Sequence, residues 1–311
     1  MPLSPFNPRL VRGYFLVVAT LCCTLPPAAA AAPYRPADDD VVLERLPDRP
    51  PVPPAGRAGL PPEVAAGLAQ AYIQRARNRG DPRQLGYAQG LLQAWWKTAA
   101  AAVPDPVLLL RATLKQARHD FGGALEDLDG LLARSPDHAQ GWLTRATVLR
   151  VQGRYPEALD ACRKLQGLAE PFVERLCTAA IRGLHGEREI AARTLFELAD
   201  AVNRQPANIA AWYYAERADL EVRAGRLQQA GLLYQHALQA HPGDLDLRAA
   251  HADLLLDREQ APAVLALIGP DVSADSLRLR RALALHALKD PRFEAEDAYL
   301  CDGFAAAHRR G

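Results

Sequence analysis

One pattern constrains this 311-residue chain more than any other: it repeats itself every 34 residues. Ala112 lies over Ala146 at that offset, and with it Arg111 over Arg145, Phe121 over Tyr155, Ala124 over Ala158, Leu125 over Leu159 and Leu131 over Leu165. The segments RATLKQARHDFGGAL and RATVLRVQGRYPEAL are recognisably one unit written twice, and RADLEVRAGRLQQAG, from Arg217, is a third copy. A recurrence of this length implies supersecondary units that cannot bury an apolar face alone and must stack on their neighbours. The spacing gives the units their form. Small residues at Ala112, Ala146, Ala180 and Ala218 let one helix of a pair approach the other, and Ala124, Ala158, Ala192 and Ala230 do so from the second helix. Glycines at 123, 153, 186 and 225 fall between them, and Pro136, Pro206 and Pro242 end each second helix.

With those positions in view, the chain resembles the tetratricopeptide repeat family. Trp142, Ala146, Gly153, Tyr155 and Ala158 occupy motif positions in one copy, and Ala218, Gly225, Ala230, Tyr234 and Pro242 in another. Ala replaces the Gly often found at the small position of the first helix, and Arg111, Arg145 and Arg217 replace the preceding Leu. The resemblance implies an all-α, right-handed superhelical solenoid of antiparallel helix pairs. Five units are expected over 105–270: Asp105–Ser135, Asp137–Glu170, Pro171–Gln205, Pro206–His241 and Pro242–Pro270. A degenerate helix pair at 63–104 precedes them and capping helices at 271–311 follow. From Ala180 to Ala218 the step is 38, so an interruption is expected near Asn203 to Ala210.

Composition agrees with helices. Hydrophobic residues are 49% of the chain but aromatics only 6%, so the apolar content is mainly Ala and Leu, which favour helix over strand. With 37 basic and 36 acidic residues there is no excess of positive charge to suggest nucleic acid as a partner.

The N-terminus reads as a processing signal over residues 1–30. Arg9 and Arg12 precede an uncharged run from Tyr14 to Leu25, then Pro26-Pro27 and the small residues Ala28 to Ala32 with cleavage expected near Ala30. Twelve apolar residues at about 1.5 Å each give about 18 Å, short of a bilayer core near 30 Å. Ala19-Thr20-Leu21 before Cys22 depart from a bacterial lipobox, so a lipid anchor is not expected. Of 25 prolines, 14 lie before Glu63, and 31–62 reads as an extended tether whose apolar patch, Val41-Val42-Leu43 with Leu46, is either a docking element or a turn against the body. These features point to a periplasmic or secreted protein.

Chemistry is hard to find. The chain has no G-x-S-x-G, no S-x-x-K and no phosphate loop, and its helix-start serines (Ser135, Ser273, Ser276) read as N-caps. No enzyme activity, catalytic residue, cofactor or metal site is expected. His236, His241 and His251 are near one another in sequence without metal-ligand spacing. Cys162 and Cys177 fall on successive helices; they either bridge, for about 3 kcal/mol on the loop-entropy argument, or stay free as small buried hydrophobes. Cys301 has no evident partner in the sequence.

What the resemblance does imply is binding. First helices of such repeats line a concave surface, here including Leu143, Thr147, Arg150, Trp212, Asp219, Arg223, Asp246, Asp253 and Asp257. That surface becomes acidic toward its C-terminal end and suits a protein or peptide partner with a basic segment. The Lys and Asn of the family's carboxylate clamp are missing. Trp95, Trp96 and Trp212 are candidate hot spots, with Trp96 expected to pack on a neighbouring helix. The expected role is a non-catalytic scaffold or adaptor of the cell envelope. The alternatives are a structural subunit of an envelope assembly or export complex using its convex face or caps, with Tyr299, Leu300 and Phe304 on the last helix, and a metal or small-ligand carrier built on the three histidines.

Overall fold

A computed structural model describes residues 59–270 and 272–308, with side chains through 303. The signal segment, the proline-rich tether through residue 58 with its Val41–Leu46 patch, and the side chain of Phe304 lie outside what the structure describes. Among the described residues there are helices and turns and no strand. The α-helices are α1 (Pro62–Arg79), α2 (Arg83–Leu91), α3 (Asp105–Ala117), α4 (Phe121–Arg134), α5 (Ala139–Val151), α6 (Tyr155–Arg163) and α7 (Pro171–Leu184). They continue as α8 (Arg188–Glu197), α9 (Ala207–Arg223), α10 (Leu227–Ala240), α11 (Leu245–Asp257), α12 (Ala261–Ile268), α13 (Asp275–Ala287) and α14 (Phe293–His308). Short 3-10 turns at Gln93–Trp95 and Ala100–Ala102 join α2 to α3, and Ala199–Arg204 fills the long step between α8 and α9.

Each helix packs on the next in sequence, and alternate helices α1, α3, α5, α7 and α9 also touch, which makes an all-α solenoid of helix pairs. The small residues act as their spacing implies. Ala112, Ala146, Ala180 and Ala218 on the first helices, and Ala124, Ala158 and Ala230 on the second, are all buried to 3% exposure or less. Without a side chain beyond Cβ at these points, the helices of a pair can approach closely, and leucines such as Leu128 and Leu149 are buried beside them. One position departs. Ala192 is exposed and Ala191 is buried in its place, because α8 starts one residue out of the 34-residue register after the Gly186 turn.

Helix starts are capped by other residues than the serines. Asp120, His138 and Asp244 accept from the backbone N–H three residues on, satisfying donors that a helix leaves unpaired. Ser135 instead ends α4 and donates its hydroxyl to Asp105, and Ser276 lies inside α13, whose first turn is preceded by Ala274.

Two polar devices hold pairs together. Arg111, at the position where the family carries Leu, is buried; its Nε and Nη2 donate to Asp127 at 2.8 and 2.6 Å, and its Nη1 to the carbonyls of Trp95 and Thr98. Lys115 adds a second cation 2.9 Å from the same carboxylate. At the C-terminal end, buried Glu296 on α14 accepts from Arg278 and Arg281 on α13, and Arg278 lies 3.9 Å from the centre of the Tyr299 ring.

The two ends of the solenoid meet. The turn after α1 puts Gly80 against Ala274 and Leu245, so the first helix pair touches the start of α11 and of α13.

Candidate functional site

Several residues expected to line a concave surface are instead packed or paired inside the molecule. Leu109, Leu143 and Trp212, from α3, α5 and α9, all pack against one buried cluster. Arg150 of α5 reaches over α7 to pair with buried Glu216 of α9, and Trp212 Nε1 donates to the same carboxylate at 3.0 Å. Leu143 and Arg150 are thereby committed to internal contacts. Thr147 is exposed, with its hydroxyl turned back to the Leu143 carbonyl at 2.9 Å. Trp95 and Trp96 both pack against the N-terminal core.

The acidic end divides in two. Asp253 is held by Arg280 of α13 through two hydrogen bonds of 2.8 and 2.6 Å. Its charge is therefore answered inside the molecule. Asp257, one turn on, has its carboxyl raised above the usual range by burial and by the Asp253 charge. Both residues, with Arg223, lie outside the cleft described next.

That cleft opens between α9 and α11, with a volume of about 310 Å³. Its walls are Asn208, Ala211, Trp212, Ala215 and Asp219 of α9, Tyr234 of α10, Asp246, Leu247 and Ala250 of α11, and His241 and Asp244 of the connecting turn. Three carboxylates and a tryptophan face it, and no Lys or Arg lines it. The helix geometry explains the convergence: Asn208, Trp212, Ala215 and Asp219 recur at helical spacing along one face of α9, and Asp246 and Ala250 do the same on α11.

The carboxylates are not equivalent. Asp219 accepts from the Tyr234 hydroxyl, whose proton is held far above its usual range by burial and by that carboxylate. Asp244 commits one oxygen to the Leu247 N–H at 3.0 Å, while its other lies 3.9 Å from His241 Nδ1. Asp246 is exposed and has no ion-pair partner among the described residues. The cleft thus gathers three carboxylates beside the partly buried Trp212 side chain. Asp244 was not foreseen, because it sits in the turn rather than on a first-helix face; the Pro242-Gly243-Asp244 sequence ahead of an apolar run is the signal that marks it as a cap.

The histidines do not converge. His236 stacks on Tyr214, His251 stacks on Tyr234, and His241 sits in the turn. Among the described residues no group of three His, Cys, Asp or Glu side chains is placed to hold a metal ion. Cys162 and Cys177 are joined in a disulfide that ties α6 to α7, and Cys301 is exposed.

Known proteins agree with the architecture. Residues 109–171 match the family described as Tetratricopeptide repeat. A thermophilic TPR protein of Thermus thermophilus superposes with a TM-score of 0.50 at 23% identity, over 63% of this chain and 100% of that one. The chain has the fold of a tetratricopeptide-repeat protein. A tetratricopeptide repeat protein from Parabacteroides merdae gives a TM-score of 0.46 at 16% identity, over 76% of this chain and 93% of that one. PilW, described as a widely conserved type IV pilus biogenesis factor, gives 0.47 at 18%, over 67% and 94%. No curated protein matches the chain in sequence.

Proposed function

We propose that this repeat protein is a non-catalytic scaffold that takes a basic segment of a partner protein into the cleft between α9 and α11. The observation behind this reading is the grouping of Asp219, Asp244, Asp246 and Trp212 around one opening with no Lys or Arg lining it. A stacked-helix frame presents that opening already formed, so the partner bears most of the ordering cost. The approaching Lys or Arg side chain lies on Trp212, with Asp246 as the unpaired charge that meets it.

We further propose that the protein works in an oxidising compartment outside the cytoplasm, the periplasm or beyond, after loss of its N-terminal signal. The Arg9/Arg12–apolar–Ala pattern supports this, and so does the Cys162–Cys177 disulfide, a bond that persists where thiols are not kept reduced. No helix among the described residues is long and apolar enough to cross a membrane.

The experiment is a crosslinking pull-down with tagged protein carrying Asp246→Lys, compared with the wild type and with Glu126→Lys, a charge reversal on an exposed residue of α4. Loss of one partner from the Asp246 variant alone supports the reading. Equal capture by all three forms overturns it and moves the interface to the convex face or the caps.

A further inference from the structure

Among the described α-helices, only α10, of 14 residues, and α12, of 8, carry no Asp, Glu, Lys or Arg. With 23% of the chain charged, about five such residues would be expected in the two. Both are second helices of their pairs, and the other second helices expose charge: Arg83 on α2, Glu126 on α4, Asp160 on α6, Arg193 on α8 and Glu294 on α14. Exposed positions of α10 are uncharged too. Gln228, Leu232, Gln235 and Gln239 follow one another at helical spacing along one face and all are exposed, Leu232 to 52%.

A single exposed leucine needs no explanation, but this one stands on the helix that walls an apolar trough. The trough, of about 560 Å³, opens between α10 and α12. Leu238 of α10, Leu255 of α11, and Ala263 and Leu267 of α12 line it, and no Asp, Glu, Lys or Arg does. Charged residues resume in the turns: Arg226, paired with Glu221, ahead of α10, and Arg258 with Glu259 ahead of α12.

A surface that stays in water tolerates charges of both signs. Charge is kept out where a surface is buried, because a charge taken from water without a partner is costly. A two-fold contact is the strictest case: near its axis each residue meets its own copy, so any charge there meets a like charge. The α10 face satisfies that condition and is self-complementary in shape. In an antiparallel crossing of α10 with its own copy, centred on Gln235, Leu232 comes opposite Leu238 of the other trough, and Leu238 opposite Leu232 in return. Gln235 then meets Gln235, and an amide both donates and accepts, so it can pair with itself.

We propose that α10 and α12 form a two-fold interface with a second copy of this chain, Leu232 of each copy seated in the trough of the other. The trough shares no lining residue with the acidic cleft, so a dimer carries two clefts.

Sedimentation equilibrium tests this. The wild type is expected to be mostly dimeric at about 100 µM, as a Kd of micromolar order requires. Leu232→Glu removes the projecting side chain and puts a charge in its place, and is expected to weaken the dimer about a hundredfold. Gln235→Lys and Gln235→Glu alter an exposed position and keep the helix, which circular dichroism checks. Each is expected to be monomeric alone, and the two mixed to form a 1:1 heterodimer, as residue 235 facing its own copy dictates. A dimer that survives Leu232→Glu, or Gln235 variants that do not combine, would overturn the proposal. So would a dimer that Cys301→Ser dissolves, since that contact belongs to α14. A monomeric wild type also overturns it. Leu232-dependent flotation with phosphatidylcholine vesicles would then give the face to a lipid surface, and its absence to a different protein. None of these results bears on the Asp246 comparison, so failure here leaves the scaffold reading standing.

Discussion

Gly80 and Ala274 touch although 194 positions separate them in the chain, and a Cβ on Gly80 would lie 2.7 Å from the Ala274 Cβ. This contact joins the first helix pair to the last. Gly80 also has φ +63°, a left-handed conformation that costs L side chains about 1–2 kcal/mol. Gly153 offers the control, with φ +72° and open space where a Cβ would go. Gly153→Ala is expected to lose about 1 kcal/mol from strain alone, and Gly80→Ala about 3 kcal/mol, the excess coming from overpacking at the closure. Urea unfolding of both variants measures the difference. Equal losses would mean that the end-to-end contact contributes nothing.

The Arg111–Asp127 pair has side chains 3% and 1% exposed. Asp127→Ala would leave Arg111 buried without its counter-charge, and is expected to destabilise by about 3–5 kcal/mol. Asp129, whose Arg145 partner is far more exposed, is the comparison: Asp129→Ala is expected to cost less than about 1 kcal/mol. Denaturant midpoints of the two variants separate the cases.

Reduction of the Cys162–Cys177 disulfide, or the double substitution to Ser, is expected to lower stability by about 3 kcal/mol, since the bridge closes a separation of 15 residues. Helix content by circular dichroism should stay unchanged at low temperature, because Ala161 of α6 and Ile181 of α7 also share one buried cluster.

Acid should weaken the fold through His251. Its proton affinity in the folded protein is lowered, first by burial and second by Arg258, with Tyr234 of α10 facing the ring as the other titratable group. A group whose folded pKa is depressed contributes stability that is full above its unfolded value of about 6.5 and is lost as pH falls toward the folded one. Stability measured from pH 7.5 to pH 5 should therefore decline, and His251→Phe should flatten that part of the profile.

Much of this fold was legible in the sequence because a 34-residue repeat of Ala, Gly and Pro positions specifies helix pairs locally. The binding surface was legible only in part. Trp212, Asp219 and Asp246 share first-helix faces, and the structure brings them to one cleft. Arg150 with Glu216, and Asp253 with Arg280, are pairs 66 and 27 residues apart, set by how tightly the helices coil. No local pattern encodes that curvature, so residues that read as free on a first-helix face turn out to be partnered. The same reason makes Asp253→Lys a poor probe of binding: it would place a cation against Arg280 and cost stability, whereas Asp246→Lys disturbs no ion pair.

The most direct test of the scaffold reading is site-specific photocrosslinking from inside the cleft. A photoreactive residue at Asn208, exposed on the cleft wall, is compared with one at Ala192, exposed on α8. Crosslinked peptides that contain Lys or Arg, obtained from position 208 and absent from position 192, are the predicted result. Crosslinks that form from position 192 alone would contradict it and place the partner on the second-helix face.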